Sequence, residues 1–385
     1  MKRLVWLDVT KGLAIHWIVY FHFFTTYTKT PSPMQPDFVS AVAGEAGWNG
    51  VAASVKTVCK LVWMAVSQVG FHAVGLFIIA GGWSLAQATA RRAAAGPVAW
   101  GEWYRARLVR LFPMYWVAHV VYLVSPFVAR LEPVDGRIVL SLLGLRFVDI
   151  GMNFMYLNAA WWYFAMLLQF YLLFPILFSV MQRFGAGQFF LVASLVGFLS
   201  RYLLLVVFQQ SGLWVLGGFA VCRLPEFALG MALGMWHARN PERVERFLLG
   251  GAGLATGLLL YPAALQSYKN IYTYLISDLA TGACCFLAVV GVAGLLSRLP
   301  TVAKVLALVG SFSYGIFLTH QPYVIWLGLK IQEQPVWAFL LIAAFTLAVL
   351  SAWGMFLERL TNALIDRLMP TKKKSPPAPV VVGHA

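Results

Sequence analysis

The sequence predicts an all-α, polytopic integral membrane protein, a bundle of about ten transmembrane helices. Of the 385 residues, 61% are hydrophobic and only 11% are charged, and the mean hydropathy is +0.76. Soluble domains are about half apolar and about one quarter charged. Apolar stretches long enough to cross about 30 Å of hydrocarbon recur along the chain. Because a segment in lipid must satisfy its own backbone hydrogen bonds, we expect these stretches to be helical.

Ten apolar stretches of about 20 residues are predicted to span the membrane. They lie near residues 5–27, 66–90, 110–129, 160–182, 188–208, 213–237, 246–264, 271–297, 305–328 and 336–358. Two shorter apolar pieces, near 50–64 and 138–148, predict helices at the membrane surface. Residues 1–360 therefore form one transmembrane domain, and residues 361–385 form a basic, proline-rich tail.

The distribution of basic residues predicts the orientation. With a cytoplasmic N-terminus, nineteen of the 29 Lys and Arg residues fall on the cytoplasmic side and eight on the outer side. Arg201 and Arg223 lie within spans. The positive-inside rule then predicts a protein of the plasma (inner) membrane with both termini in the cytoplasm. The tail sequence TKKKSPPAPVVVGHA fits a segment that contacts anionic membrane lipid.

The charge distribution and the cysteine spacing argue against nucleic acid binding and against a metal site. The net charge is +15, but the basic residues lie in short loops between apolar spans, so we expect no nucleic acid partner. We expect no metal site, because the cysteines lack the spacing of metal ligands. The four cysteines are Cys59, Cys222, Cys284 and Cys285.

The first predicted span carries several ionisable residues. Residues 3–24 contain Asp8, Lys11, His16 and His22. Lys11 and His22 are eleven residues apart, which is close to three helical turns, so both project from one face roughly 16 Å apart along the axis. Ionisable groups within a membrane are candidates for function. The alternative is a Lys that snorkels to the surface and a His that bonds a neighbouring helix.

Two further histidines are predicted near the outer half of the bundle. His320 lies in the ninth span, in SFSYGIFLTHQPYV, at a depth similar to that of His22. Ser313 precedes His320 by seven residues and shares its helical face. His72 opens the second span from outside. Imidazole is the usual acid or base near neutral pH, although these side chains can also fill polar gaps between helices.

Arginines crowd the loop and helix start before the third span. Their guanidinium groups suit phosphate, and the alternative is ordinary positive-inside charge. The group comprises Arg91, Arg92, Arg105, Arg107 and Arg110.

The sixth span holds a predicted ion pair. Arg223 and Glu226 are three residues apart and can pair on one face, which favours a structural clamp. Gly230 and Gly234 form a G-x-x-x-G step that lets two helices approach closely. Arg201 and Asp278 are also predicted within spans, with partners that the sequence does not reveal.

Three motifs lie in the first half of the chain, in residues 8–22, 75–83 and 104–115. They resemble motifs of the acyltransferase 3 family, integral-membrane enzymes that O-acylate sugars and related molecules. The first span has Asp8, Lys11-Gly12 and His22, with Lys11 in place of the family's Arg. GLFIIAGGW (75–83) is similar to a second-span motif, with Gly in place of a usual Ser at position 81. YRARLVRLFPMY (104–115) matches an Arg-rich run that ends in Pro and an aromatic residue.

Three more motifs follow in the family's order. WWYFAMLLQFYLLFP (161–175) resembles the fourth-span motif, but Leu167 and Leu168 occupy the place of a frequent acidic pair. RLPEFALG (223–230) and SYGIFLTH (313–320) are close to the remaining two. The ordered set extends over most of the chain.

The resemblance implies acyl transfer to a hydroxyl. Acyl-CoA, with acetyl as the acyl group, would be a co-substrate from the cytoplasm rather than a permanently bound cofactor. The acceptor would be a hydroxyl of a sugar, polysaccharide or glycolipid. A transporter or flippase for a glycolipid or anionic solute is the alternative, but no repeated halves are visible in the sequence.

The predicted site follows from the motifs. His22 accepts the acceptor's proton or carries the acyl group, with Lys11 along the path of the pantetheine arm and His320 orienting the acceptor or donating to the oxyanion. Phosphates bind at Arg105, Arg107 and Arg110. The residues assigned to structural or substrate contacts are Asp8, Arg223, Glu226, Ser313, Tyr314 and His72.

Overall fold

The computed structural model describes residues 4–29, 38–49, 54–130 and 132–369, and all regular structure within these ranges is helical. Short 3-10 and π turns join or extend the α-helices. The α-helices are α1 (Val5–Thr28), α2 (Phe38–Ala46), α3 (Val55–Val69), α4 (Ala73–Ala94), α5 (Trp100–Val124), α6 (Arg137–Leu142), α7 (Ile150–Met155), α8 (Trp162–Phe184), α9 (Ala186–Tyr202), α10 (Leu224–Arg239), α11 (Pro241–Leu248), α12 (Gly251–Gln266), α13 (Ile271–Tyr274), α14 (Ser277–Leu296), α15 (Pro300–Ser311), α16 (Ser313–Lys330) and α17 (Val336–Leu368).

The all-α, polytopic membrane class is confirmed, but the count of about ten spans is not. Two bent helix pairs, α11 with α12 and its extension (50°) and α15 with α16 (78°), raise the number of spans from six to eight if each pair crosses once. Helix α1 carries Asp8, Lys11, His16 and His22 among its apolar residues, and α10 has only 16 residues. The six segments long and apolar enough to cross a membrane are Val55–Ala94, Trp100–Val124, Ala159–Phe184, Ala186–Val207, Ser277–Leu296 and Val336–Leu368.

The predicted surface pieces fall on helices, the first of them within the apolar segment Val55–Ala94, and most of the predicted tail lies outside the described residues. The piece near 50–64 overlaps α3, which continues through Gly70–His72 into α4. The piece near 138–148 contains α6 and the turn Arg146–Val148. Helix α17 runs to Leu368, so the first residues of the predicted tail are helical, and residues 370–385 lie outside the described residues.

Helix α1 lies in the middle of the bundle and packs against α4, α14, α15 and α16. Two glycines set its approach to α15. A Cβ added to Gly12 would lie 2.1 Å from the Leu306 carbonyl oxygen, and one added to Gly310 would lie 1.9 Å from the Asp8 carbonyl oxygen. Only glycine allows backbones so close, because any Cβ would collide with the facing chain. Gly12, which follows Lys11, therefore allows α1 to pack directly against α15.

Helices α4 and α10 pack equally closely, as the G-x-x-x-G spacing predicts. A Cβ on Gly230 would lie 1.9 Å from the Ile79 carbonyl oxygen, and one on Gly234 would lie 2.8 Å from that of Trp83. Small residues at such crossings let van der Waals contact hold helices together in lipid.

Four buried charged residues join α9, the start of α10 and α14. Arg223 binds Glu226 through both carboxylate oxygens at 2.6 and 2.8 Å, which is the predicted pair. Arg201 and Asp278 pair with each other at 2.5 Å, and Arg223 also lies 3.5 Å from Asp278. All four side chains are buried, and their charges balance. We call Arg201, Arg223, Glu226 and Asp278 the charge network.

Candidate active site

A cavity of about 370 Å³ lies between α1, α4, α5, α8 and α16. It brings together residues from five of the six sequence motifs. Its lining residues are Lys11, Phe77, Ala80, Gly81, Ser84, Leu85, Ala88, Arg107, Arg110, Leu111, Tyr163, Leu167, Tyr171, Ser313, Tyr314 and Phe317.

Three cations contribute to the cavity wall. Lys11 lies 3.5 Å from Asp8 Oδ1, one turn earlier on α1. Arg107 lies over the Trp103 ring, 5.3 Å from its centroid, and its Nε is buried without a hydrogen-bond partner in the described part of the chain. Arg110 follows Arg107 by three residues, so the two share a face of α5. This wall can bind anionic groups.

Arg105 is placed differently. It precedes Arg107 by two residues, which at 100° per residue turns it to the far side of α5. Its side chain is exposed, and it is not among the residues that line the cavity. Its predicted contact with phosphate stays a prediction.

The start of α16 presents Ser313 and Tyr314 to the cavity. The Tyr314 hydroxyl donates to the Leu111 carbonyl oxygen at 3.0 Å. The backbone N–H of Gly315, in the first turn of α16, donates to Glu358 Oε2 at 2.8 Å. A first-turn N–H has no partner within its own helix, so this buried carboxylate caps α16 from α17. Sequence analysis missed Glu358, whose only signal is a carboxylate in the last apolar stretch.

The cavity wall is apolar where the chain departs from the family motifs. A Cβ added at Gly81 would meet nothing within 4 Å, so this position opens on free space. Leu167 lines the cavity, whereas Leu168 is buried. Where the motif has a hydroxyl and an acidic side chain, this chain therefore has open space and an alkyl group.

The rings of His22 and His320 lie side by side, with centroids 5.4 Å apart and planes inclined by 39°. His320 is fully buried and His22 is half-buried. Neither lines the cavity. Phe317 does, and its ring packs against that of His320 with a centroid distance of 5.6 Å. The cavity thus ends one aromatic ring away from the histidine pair.

His320 is held in one tautomer. Its Nδ1 lies 2.8 Å from the Phe317 carbonyl oxygen and 3.2 Å from that of Ile316. Carbonyl oxygens only accept, so Nδ1 carries the proton and Nε2 of the neutral ring has a lone pair. Nε2 is buried and has no hydrogen-bond partner among the described residues.

His22 contacts a residue that sequence analysis missed. Its Nδ1 lies 3.4 Å from Gln321 Nε2. The Gln321 Oε1 accepts from the Ala160 backbone N–H at 2.5 Å. The only sequence signal for Gln321 is a polar residue directly after a histidine in an apolar helix.

Pro322 helps to dock the segment before α8 on α16. Because proline has no N–H, the carbonyl of Leu318, four residues earlier, lacks its helical donor. Asn158 Nδ2 and Trp161 Nε1 supply hydrogen bonds to that oxygen at 3.0 and 2.8 Å. This docking brings Ala160 to Gln321.

His72 belongs to a different cluster. Its Nδ1 lies 2.5 Å from the Tyr261 hydroxyl and its Nε2 lies 3.0 Å from that of Tyr268, which donates to Asp278 Oδ1 at 3.4 Å. His72 is therefore linked through Tyr268 to the charge network, which already includes Arg223 and Glu226. None of these three residues lines the cavity. Whether they act on substrate stays a prediction.

Comparison with known families adds one match. A family model described as "Acyltransferase domain" matches residues 4–353. This range includes every motif quoted above and both histidines of the pair. No curated protein and no solved structure matches the chain.

Proposed function

Because the chain belongs to the acyltransferase 3 family of membrane acyltransferases, we propose that it transfers an acetyl group from cytoplasmic acetyl-CoA to a hydroxyl of a sugar, polysaccharide or glycolipid. The chain is a multi-pass membrane protein. We propose the inner membrane as its location, with the cationic wall of the cavity toward the cytoplasm. One observation carries the proposal: the cavity has cations in its wall and ends at Phe317, whose ring packs against His320 of the histidine pair.

The donor would bind by its phosphates and extend toward the histidines. Arg107 and Arg110 would hold the phosphates, because guanidinium groups bind them through charge-assisted hydrogen bonds. Lys11 would lie beside the pantetheine arm. Lys11 and His22 share helix α1, and a rise of 1.5 Å per residue separates them by roughly 16 Å. An extended thioester arm can bridge most of that distance.

The histidine pair would perform the chemistry. The acceptor oxygen attacks the thioester carbonyl, its O–H proton passes to an imidazole, the C–S bond breaks and the thiolate of CoA takes up the proton. General base catalysis of this kind contributes typically 10²–10⁴-fold. A hydrogen bond from the second imidazole to the developing oxyanion would contribute about 3–4 kcal/mol.

The direct test is transfer of radiolabelled acetyl from acetyl-CoA by the purified protein in detergent. Candidate acceptors are lipid-linked sugars, polysaccharide fragments and small glycosides, with a matched His22→Ala preparation as the control. We expect labelled ester with at least one acceptor class and none with the control. Mass spectrometry of envelope glycans from cells with and without the gene would identify the natural acceptor. Movement of a glycolipid across vesicles without any labelled product would replace the proposal with transport.

A further inference from the structure

The amide of Gln321 has one possible orientation. A backbone N–H can only donate, so the amide oxygen must face Ala160, whose N–H lies 2.5 Å away and is shared with Asn158 Oδ1 at 3.0 Å. The NH₂ group then faces His22 Nδ1 at 3.4 Å. An NH₂ group only donates, so Nδ1 of neutral His22 accepts and its Nε2 carries the proton. At 3.4 Å this contact lies at the long end of the hydrogen-bond range.

The two imidazoles are therefore held in opposite protonation patterns. His22 offers an N–H at Nε2, whereas His320 has its proton on Nδ1, bonded to Phe317 and Ile316, and offers a lone pair at Nε2. That lone pair is fully buried and lacks a partner within the described ranges. A buried polar atom without a partner is uncommon in folded proteins and marks a place where a ligand group can bind.

We propose that Gln321 is a positioning residue that fixes the His22 tautomer and so divides the work of the pair, with His320 as the base and His22 as the hydrogen-bond donor. This inference rests on the proposed acyl transfer. It reverses the roles that the sequence motifs favour, in which His22 takes the proton.

With these roles, His320 carries the proton from the acceptor to CoA, and His22 stabilises the oxyanion. The acceptor O–H proton passes to His320 Nε2 as the new C–O bond forms. His22 Nε2–H donates to the carbonyl oxygen as it becomes an oxyanion. The C–S bond then breaks, and His320 returns the proton to the thiolate of CoA. Throughout, the His320 Nδ1–H stays on its two backbone carbonyls, which stabilise the charged ring.

Substitutions at Gln321 separate this role from simple packing. In Gln321→Glu an ionised carboxylate accepts from His22 Nδ1–H, so His22 loses its proton at Nε2 and can no longer donate. In Gln321→Met the tautomer preference disappears while side-chain volume is kept. We expect kcat to fall about 10²-fold in Gln321→Glu, the lower end of the range for loss of one oxyanion donor, and only about tenfold in Gln321→Met, which keeps the donor but not its tautomer preference. KM for acetyl-CoA should not change by more than about twofold in either variant, because neither substitution touches the cationic wall of the cavity.

The pH profile gives a second readout that packing alone would not move. Relative to wild type, Gln321→Glu should regain activity as the pH falls, because a carboxylate buried at this position takes up a proton more readily than one in water and can then donate to His22 again. Gln321→Met should keep the wild-type profile at a lower level. Equal kcat for wild type and both variants, at equal folded protein by size exclusion, would overturn the role of Gln321.

Hydroxylamine tests which histidine is the base, and it needs no knowledge of the natural acceptor. Hydroxylamine attacks thioesters as a neutral amine and depends less on a general base than water does. We expect the ratio of hydroxylaminolysis to hydrolysis of acetyl-CoA to rise at least tenfold in His320→Asn and to stay near wild type in His22→Asn. The opposite pattern returns the base to His22. If the wild-type protein releases CoA from acetyl-CoA neither with water nor with hydroxylamine, the proposed function itself fails. That result is distinct from a failure of this inference, in which the wild type is active but the two variants show the opposite pattern.

Discussion

His22 and His320 are brought to a ring separation of 5.4 Å by two helices, α1 and α16, that pack against each other. Each ring is held by a contact on α16: the His320 Nδ1 bonds the carbonyls one turn earlier, and His22 faces Gln321. The pair therefore depends on the register between α1 and α16. A shift of one helix along the other would separate the two groups that the proposed chemistry needs together.

Loss of either ring should abolish transfer without preventing assembly. We expect His22→Ala and His320→Ala to lower kcat at least 10²-fold, because each removes a group that acts in the transition state. His16 is the matched control: it lies on the same helix and bonds Ser351 Oγ at 2.9 Å, away from the pair. His16→Ala should keep kcat within a few-fold of wild type. Equal activity in all three variants, measured per folded protein in detergent, would remove the pair from the mechanism.

The arginines of α5 should act on donor affinity. We expect Arg107→Ala and Arg110→Ala to raise KM for acetyl-CoA by about tenfold or more, because each removes a hydrogen bond to a charged group worth about 1.5–3 kcal/mol. Arg105→Ala is the control on the same helix, since its exposed side chain does not line the cavity. Its KM should change less than threefold.

Salt provides a second test of the same wall. Raising ionic strength should increase the wild-type KM more than that of Arg107→Ala, because fewer charges remain to be screened. If Arg105→Ala changed KM more than Arg107→Ala and Arg110→Ala do, the donor would have to bind on the opposite face of α5.

The sequence could predict much of this arrangement because the required information is local. Helical class follows from composition, and the similar depth of His22 and His320 follows from the direction of two spans. The bond between Arg223 and Glu226 follows from a spacing of three residues. In contrast, the pairing of Arg201 with Asp278 joins distant parts of the chain, and no spacing rule reaches it.

Prediction from sequence fails where one side chain depends on another element. Gln321 becomes significant only because Pro322 frees a carbonyl that docks the segment carrying Ala160. Glu358 is meaningful only once α17 is seen to cap α16. Apolar length alone does not give the number of spans, because it does not show the bends between paired helices. These features depend on tertiary contacts, which single-sequence patterns do not contain.

Two glycines near the site should respond to the same substitution with opposite signs. Gly12→Ala would place a Cβ 2.1 Å from the Leu306 carbonyl oxygen, so α1 and α15 must separate, at a cost of about 1–3 kcal/mol. Gly81→Ala adds a Cβ in open space, and alanine in a helix interior is favoured over glycine by about 0.5–1 kcal/mol. Thermal unfolding in detergent should therefore show a lower Tm for the first variant and an equal or higher Tm for the second. Equal losses would mean that the α1–α15 contact is not close.

The charge network offers a test of how buried ions stabilise this fold. Arg223→Met leaves Glu226 and Asp278 buried with only Arg201 to balance them, and breaking a buried pair in this way costs about 3–5 kcal/mol. The double variant Arg223→Met/Glu226→Met removes the whole pair and restores charge balance, with Arg201 still bound to Asp278. It should therefore be more stable than the single variant, because buried ion pairs are often replaceable by apolar residues at little cost.

The control for this cycle is Arg137, a partly exposed residue outside the charge network that pairs with Glu132 and Asp135 at 2.9 Å each. Arg137→Met should leave Tm unchanged within error, because exposed ion pairs are screened by water and contribute little. Thermal unfolding of the wild type, Arg223→Met, Glu226→Met and the double variant, at equal detergent and salt, measures the coupling between the two side chains directly. If the losses from Arg223→Met and Glu226→Met simply add in the double variant, the two side chains do not act as a pair, and the network is held instead by Asp278.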